Sequence, residues 1–242
     1  MRKSCWILWL LALMALTLVS ACSDDSSPTG TTPTGPPEFT GNDNTITVPP
    51  GMANSSDPNA ALANAYIGMA NAISGHGAMF TPPTRATETD GPPWEYTWSE
   101  GGLTVTLIIN ETDTMYTWDV YIDGTIDTEV FDNYLFYSAW ASIDGSCGGL
   151  TFYAYDGSGM MEWEWCTDAL GVFTMTMSFT DGSDTLAIDL LVNPDGSGEI
   201  SYVINGVTVF EVIWDALGNG EWWTWDESGT PTGSGTWSAV LS

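Results

Sequence analysis

The stretch Phe173-Thr-Met-Thr-Met-Ser-Phe-Thr180 decides the fold, because apolar and hydroxyl side chains alternate through it without a break. Successive side chains of an extended chain point to opposite faces, so this period of two predicts a β-strand with one buried face. The same alternation recurs in residues 103–110 and 186–192. Strands of this kind are typical of antiparallel sheets.

Short turn signals separate the alternating segments. Asp-Gly and Asn-Gly pairs between such segments are typical of two-residue β-hairpins. They occur at 123–124, 144–145, 156–157, 181–182, 195–196, 205–206 and 219–220. No helical period interrupts the strands after residue 94, which excludes parallel crossovers. The sequence therefore predicts a mainly β fold, an antiparallel up-and-down meander of about eleven to thirteen strands, either a curved open sheet or a β-barrel.

One α-helix is predicted before the strands, within a folded domain that spans residues 57–242. Asp57 can cap the helix, Pro58 suits its first position and Gly75 suits the left-handed position after it. An apolar stripe of this helix is expected to pack on the sheet and to line any hydrophobic ligand site between them. The predicted ligand-binding residues are Leu62, Tyr66, Met69 and Ile73 on the helix, and Phe173, Met175, Met177 and Phe179 on a strand.

A disulfide is predicted from the register of one hairpin. If Asp156-Gly157 forms a two-residue turn, the numbers of paired residues add up to 313, so Cys147 faces Cys166. Directly opposite residues lie about 4.5–5.5 Å apart at their Cα atoms, which is within disulfide range. In an exported protein such a pair is more often a disulfide than a nucleophile.

The charge of the chain excludes some partners. Beyond residue 22 only Arg85 is basic against 31 acidic residues, a formal charge of −30. Nucleic-acid binding needs Lys and Arg, so no nucleic acid is expected as a partner. Self-repulsion favours a soluble monomer. A surface adapted to high salt and specific cation binding both explain the acidity, and the near absence of Lys throughout favours the first.

The N-terminus has the pattern of an export signal. Arg2 and Lys3 precede an apolar segment, residues 6–18, and the segment ends in Val19-Ser20-Ala21-Cys22. A charged start, an apolar middle and small residues before a cleavage site define a secretory signal peptide, predicted here over residues 1–21. The last four residues resemble the lipobox of bacterial lipoproteins.

This resemblance implies that Cys22 is acylated and becomes the mature N-terminus. It further implies a lipid-anchored protein of the bacterial cell envelope. In a Gram-negative source, Ser23 after the cysteine permits sorting to the outer membrane, which is the expected location. Residues 22–56 are then the lipidated N-terminus and a Ser/Thr/Pro/Gly-rich tether, since this composition buries too little apolar surface to offset the entropy of ordering.

No motif of known catalytic or metal chemistry stands out, so no enzyme activity, cofactor or metal is predicted. His76 is the only histidine and cannot by itself form a zinc site. Glu162 and Glu164 beside tryptophans allow sugar chemistry, and acidic turns such as 156–159 allow calcium, but turn geometry alone explains those residues. Two classes remain: a binding or interaction module for a surface protein or glycan, and a lipocalin-like or curved-sheet carrier of a hydrophobic small molecule.

Overall fold

The computed structural model of the chain describes residues 36–39, 45–126 and 128–239. The predicted signal peptide, the lipidation site Cys22 and the tether as far as residue 35 lie outside these residues. The described chain begins with two α-helices and a 3₁₀ helix, α1 (Pro50–Ala53), α2 (Pro58–Ala72) and Ile73–Phe80. Strands follow from residue 87 to residue 237.

Thirteen strands form one antiparallel sheet in the order β1 to β13, so each strand pairs with its neighbours in sequence. Their bounds are β1 Thr87–Thr89, β2 Trp94–Glu100, β3 Leu103–Glu111, β4 Met115–Ile126, β5 Glu129–Ser142, β6 Cys147–Tyr153, β7 Gly159–Thr167, β8 Phe173–Asp181, β9 Asp184–Val192, β10 Gly198–Ile204, β11 Val207–Trp214, β12 Gly220–Trp225 and β13 Pro231–Trp237. The sheet is open, with β1 and β13 at its edges. The predicted antiparallel meander is confirmed, and of its two forms the structure has the open sheet.

One face of the sheet is buried, as the alternation predicts. A row of directly paired side chains crosses five strands on this face, and every member is at most 3% exposed. The row consists of Trp165, Met175, Leu190, Ile200 and Val212. Burying an apolar side chain of this size contributes about 1.5–3 kcal/mol, so this face holds most of the stabilising contacts.

The N-terminal segment packs into an aromatic cluster of the core. The Phe39 ring lies edge-on to Phe80, Trp118 and Trp165, with ring centroids 4.9–6.0 Å apart. The Trp118 indole N–H donates to the carbonyl oxygen of Pro37 at 3.3 Å. Residues 36–39 therefore belong to the folded part, although the sequence assigns them to the tether. The polar composition around Phe39 gives no sign that its ring is part of the core.

The α2 helix presents a different face to the core from the predicted one. Its buried residues are Ala60, Ala63, Ile67 and Ala70. Leu62 and Met69 of the predicted stripe are 38% and 36% exposed, and Tyr66 is half-buried and stacks on Tyr202 with centroids 6.4 Å apart. Alanines allow close approach of the helix backbone, which the larger side chains prevent. The chain also continues past Gly75 as a 3₁₀ helix to Phe80.

The predicted pairing of the β6–β7 hairpin is confirmed. Cys147 faces Cys166 and Leu150 faces Trp163, and the two cysteines form a disulfide with Cα atoms 4.1 Å apart. A disulfide that closes a loop of this length contributes about 3 kcal/mol in the chain-entropy model. The turn itself is longer than predicted, because a bulge after Phe152 shifts the pairing by one residue.

Five hairpin loops share a three-residue geometry. At 156–157, 195–196 and 219–220 it replaces the two-residue turn that the sequence predicts, whereas no turn is predicted for the other two loops. In each loop, the N–H of the first residue donates to the carbonyl oxygen of the fifth. The carbonyl oxygen of the first residue accepts from the N–H of a glycine at the fourth position. The loops are 154–158, 168–172, 193–197, 215–219 and 226–230. Every such glycine has φ between 79° and 90°, a region that favours glycine. Asn205-Gly206 is a two-residue turn as predicted, whereas Asp123-Gly124 lies within β4 at a bulge and Gly220 begins β12.

Tryptophan rings lie over glycines of the neighbouring strand. Five such cross-strand pairs occur in the described sheet: Trp165 on Gly148, Trp140 on Gly149, Trp214 on Gly198, Trp237 on Gly220 and Trp222 on Gly235. The absence of a Cβ leaves space for each ring. Two of these indoles also fix the preceding turn: Trp214 donates to Gly196 O at 2.8 Å, and Trp237 donates to Gly218 O at 2.7 Å.

We expect Gly220→Ala to destabilise the fold by about 1–3 kcal/mol, the usual cost of overpacking a core. A Cβ at this position would lie 2.0 Å from the Trp237 ring, so the ring must shift. The matched control is Gly68→Ala on α2, where a Cβ would meet nothing within 4 Å and where alanine should stabilise the helix. Urea unfolding of the full chain measures both, and equal stability of Gly220→Ala and the parent would contradict the tryptophan contact.

Candidate functional site

The face of the sheet opposite the buried one carries a regular row of acidic and hydroxyl side chains. Directly paired residues on β7 to β11 alternate between the two types, and each is exposed or half-buried. The row consists of Glu164, Thr176, Asp189, Ser201 and Glu211. We call it the acid–hydroxyl row. Strands in a sheet lie about 4.8 Å apart, so the carboxylates of neighbouring acids are separated by roughly twice that distance.

A shallow groove follows part of this row. It has a volume of about 420 Å³, and Asp189, Ser201 and Glu211 are among the residues that line it. Thr176 donates its hydroxyl to Asp189 Oδ1 at 2.7 Å, which fixes one acid of the groove. At its two ends the row continues to tryptophans, Trp223 directly and Trp140 across Gly149. Leu190, Leu191 and Ile200 line it as well, so the groove combines polar and apolar residues.

A second surface feature lies at the end of the sheet formed by the β4–β5 and β6–β7 loops. Phe131, Tyr134 and Tyr155 contact one another with ring centroids 5.6–5.9 Å apart. Tyr155 and Val130 are each 60% exposed, and the Tyr155 hydroxyl donates to Val130 O at 2.8 Å. We call these four residues the aromatic patch. Phe131 is buried and Tyr134 half-buried, so Tyr155 and Val130 are the exposed part of the patch. Clusters with exposed apolar side chains mark contact surfaces more often than isolated exposed residues do.

The neighbouring part of β4 contains a desolvated carboxylate. Burial raises the pKa of Asp119, and burial together with the charge of Asp119 raises the pKa of Tyr121. Ser138, directly opposite Asp119 on β5, forms a hydrogen bond with the Tyr153 hydroxyl at 2.9 Å. This polar group was not found from the sequence, because the register that joins β4, β5 and β6 includes two bulges.

The Ile73 side chain lies outside the described part of the structure, and the other predicted ligand-binding residues do not line one space. Met175 and Met177 are at most 2% exposed on the buried face, with Phe173 buried and Phe179 half-buried beside them. The Trp163 indole N–H donates to Met175 Sδ at 2.9 Å, so this region is filled by neighbouring side chains. Leu62 and Met69 lie on the exposed side of α2 instead.

The predicted acids near tryptophans lie on exposed strand positions. Glu164 faces Gly149 and Thr176, and Glu162 faces Thr151 and Ser178, so neither has an acid directly across from it. No group of three or more potential metal ligands occurs within residues 36–39, 45–126 and 128–239. In the same part of the chain, the helices are all too short or too polar to cross a membrane.

The acidic turns use their carboxylates to hold the turns themselves. Asp156 Oδ1 accepts from both N–H and hydroxyl of Ser158, and Asp195 Oδ1 accepts in the same way from Ser197, at 2.6–3.0 Å. These bonds lower the pKa of both aspartates. Calcium binding, which the sequence allows but does not predict, is not needed to explain these aspartates, because turn formation already accounts for them.

No protein-family model matches this sequence, and the comparison with curated proteins gives no match. The residues of the site and their geometry therefore carry the functional argument by themselves.

We expect the turn carboxylates to make stability depend on acidity. The Ser142 hydroxyl, together with the N–H and hydroxyl of Ser146, lowers the pKa of Asp144 to about 2. A pKa lowered in the folded state stabilises the fold above the ordinary value of about 4, and this contribution is lost as pH falls towards about 2.

The test compares the parent with Asp144→Ala by unfolding at a series of pH values, with the Asp144 carboxyl titration followed by NMR. The variant should be less stable near neutral pH, and the difference should shrink between pH about 4 and about 2. A difference that stays constant over this range, or a titration midpoint near 4, would contradict the role of the two serines.

Proposed function

We propose that this chain is an exported, lipid-anchored, non-enzymatic binding module of the bacterial cell envelope. In this proposal the lipid on Cys22 holds the protein at the outer membrane, and the folded domain contacts a surface protein or glycan. The aromatic patch is the observation that carries the proposal. Tyrosine combines a large apolar surface with a polar end, which makes it one of the commonest residues in protein contact surfaces.

Export is supported by the way the cysteines are used. Cys147 and Cys166 form a disulfide, and disulfides persist in oxidising compartments outside the cytoplasm. The two other cysteines of the chain, Cys5 and Cys22, lie in the predicted signal peptide and at its lipidation site. Every cysteine therefore has a place in an exported lipoprotein.

The acidic surface decides how the domain is held. With one Arg against 31 acids after residue 22, the domain is repelled by anionic headgroups. Attachment then depends on the acyl chains. Because the bilayer does not attract the domain electrostatically, the aromatic patch is available to a partner.

Carriage of a hydrophobic ligand is the alternative function. It requires an enclosed apolar cavity, whereas the groove carries the acidic side chains of Asp189, Glu199 and Glu211 and the buried face is packed with the chain's own side chains. Carriage stays a prediction, and the geometry of the described residues favours the interaction module.

The anchor is tested by Cys22→Ala. We expect the parent to enter the detergent phase on Triton X-114 partitioning and the variant to remain in the aqueous phase, because the variant lacks the acylated cysteine. Far-UV circular dichroism controls for folding of the domain. Equal partitioning of the two proteins would exclude acylation of Cys22 as the anchor.

The contact surface is tested by photo-crosslinking in cells of the source organism. A benzophenone amino acid replaces Tyr155 of the aromatic patch or, as the control, Leu170. Both residues lie in three-residue hairpin loops and both are exposed, at 60% and 80%. We expect a discrete adduct of higher mass at position 155 alone. Adducts of equal yield at both positions, or at neither, would contradict a contact through the aromatic patch.

A further inference from the structure

The two edges of the open sheet differ in how far they are protected. An edge strand exposes unpaired backbone N–H and C=O groups, and proteins protect such edges with short strands, prolines or charges. The β1 edge has three residues, contains Glu88 and is followed by Pro92 and Pro93. Arg85, just before it, forms an ion pair with Glu100 of β2. The β1 edge therefore has several protecting features.

The β13 edge has seven residues and only one such feature, Pro231 at its start. No strand of the described chain pairs with its free side. Residues 228–242 contain no charged side chain, in a chain with 31 acids. From Pro231 to Thr236 the strand is exposed or half-buried, so no other element of the described chain covers it.

The side chains of β13 leave room for an added strand. Gly233 and Gly235 point to the same face as Trp222, whose ring covers Gly235. The indole N–H of Trp222 has no hydrogen-bond partner among the described residues. Glycines present no side chains that would obstruct a neighbouring strand on this face, and the Trp222 ring offers it an apolar surface.

We propose that β13 accepts an extended, basic segment of a partner protein as a fourteenth strand. Backbone hydrogen bonds supply the affinity, as in other cases of β-strand addition, and charge selects the partner. This inference names a contact surface for the interaction module proposed above and rests on that function. The partner segment is basic because the chain beyond residue 22 has a formal charge of −30, which attracts cationic segments, and the uncharged edge does not repel them.

A second copy of the chain fits this edge less well. Two copies repel each other over about 8 Å at physiological ionic strength, because both are strongly acidic. A basic strand from a partner protein is instead attracted to the acidic chain.

The test uses a blocked peptide, Lys-Val-Thr-Val-Lys-Val-Thr-Val-Lys, and its counterpart with Glu at every Lys position. Hydrogen exchange of the full chain is read by mass spectrometry with and without each peptide. We expect the lysine peptide to slow exchange in residues 231–237, and to shift the indole N–H resonance of Trp222, while the glutamate peptide does neither. Higher salt should weaken the binding.

Two variants of equal charge test the position. Ser234→Lys places a positive charge on β13 and should weaken binding of the lysine peptide at least fivefold, whereas Thr104→Lys, on β3, should leave it within twofold. No protection of β13, equal protection by both peptides, or equal effects of the two variants would overturn the proposal.

Sedimentation velocity of the free chain completes the test. Self-association that Ser234→Lys abolishes would identify a second copy as the occupant and overturn the basic partner. The aromatic patch and Cys22 are not altered in these experiments, so failure at β13 and failure of the proposed function are separate results.

Discussion

Each strand of this sheet pairs only with the strands next to it in sequence, and this constraint governs the rest of the structure. A meander contains no crossover helices that could cover its faces, so one face must be covered by whatever the chain supplies before the strands begin. Phe39, Met52, Ile67 and Phe80 are the buried side chains that do so, each at most 4% exposed. The other face remains in contact with water and is free to act as a surface for partners.

The covering segment is adapted to this task by its small residues and its lack of charge. Between Asp57 and Arg85 no residue is charged, and the buried positions of α2 are mostly alanine. A slim helix can approach a sheet that already carries large aromatic rings, such as Trp118 and Trp165. Large side chains on the strands thus fill the space between helix and sheet, and the small residues on the helix leave room for them.

The sequence determined the sheet well and the helix face poorly, for a physical reason. In residues 173–180 the period of two is fixed by the pleat, so strand type, buried face and even the Cys147–Cys166 pairing follow from it. In α2 almost every residue is apolar or small, so no face is distinguished by polarity, and the larger Leu62 and Met69 suggested the wrong one.

The surface features depend on details that no local pattern contains. The aromatic patch brings together Phe131, Tyr134 and Tyr155 from two hairpins, and the register between β4 and β5 shifts twice on the way. To predict the acid–hydroxyl row from the sequence, one similarly needs the exact register of five strands. The lengths of the turns determine the register behind both surface features. The three-residue loops are indicated by a glycine at the fourth loop position and not by an Asp-Gly pair alone.

The β9–β10 and β11–β12 loops also repeat one structural unit, and this unit bears on the β13 edge. Residues 193–198 and 215–220 share the pattern Asn/Asp-x-x-Gly-x-Gly, and each second glycine lies under a tryptophan that donates to the first. In an array of such units, the edge strand of each unit pairs with the next unit. The edge strand of the final unit has no such neighbour, so it requires a cap. The charge-free β13 edge has the features of an internal repeat boundary and lacks those of a cap, which leaves it suited to strand addition by another chain.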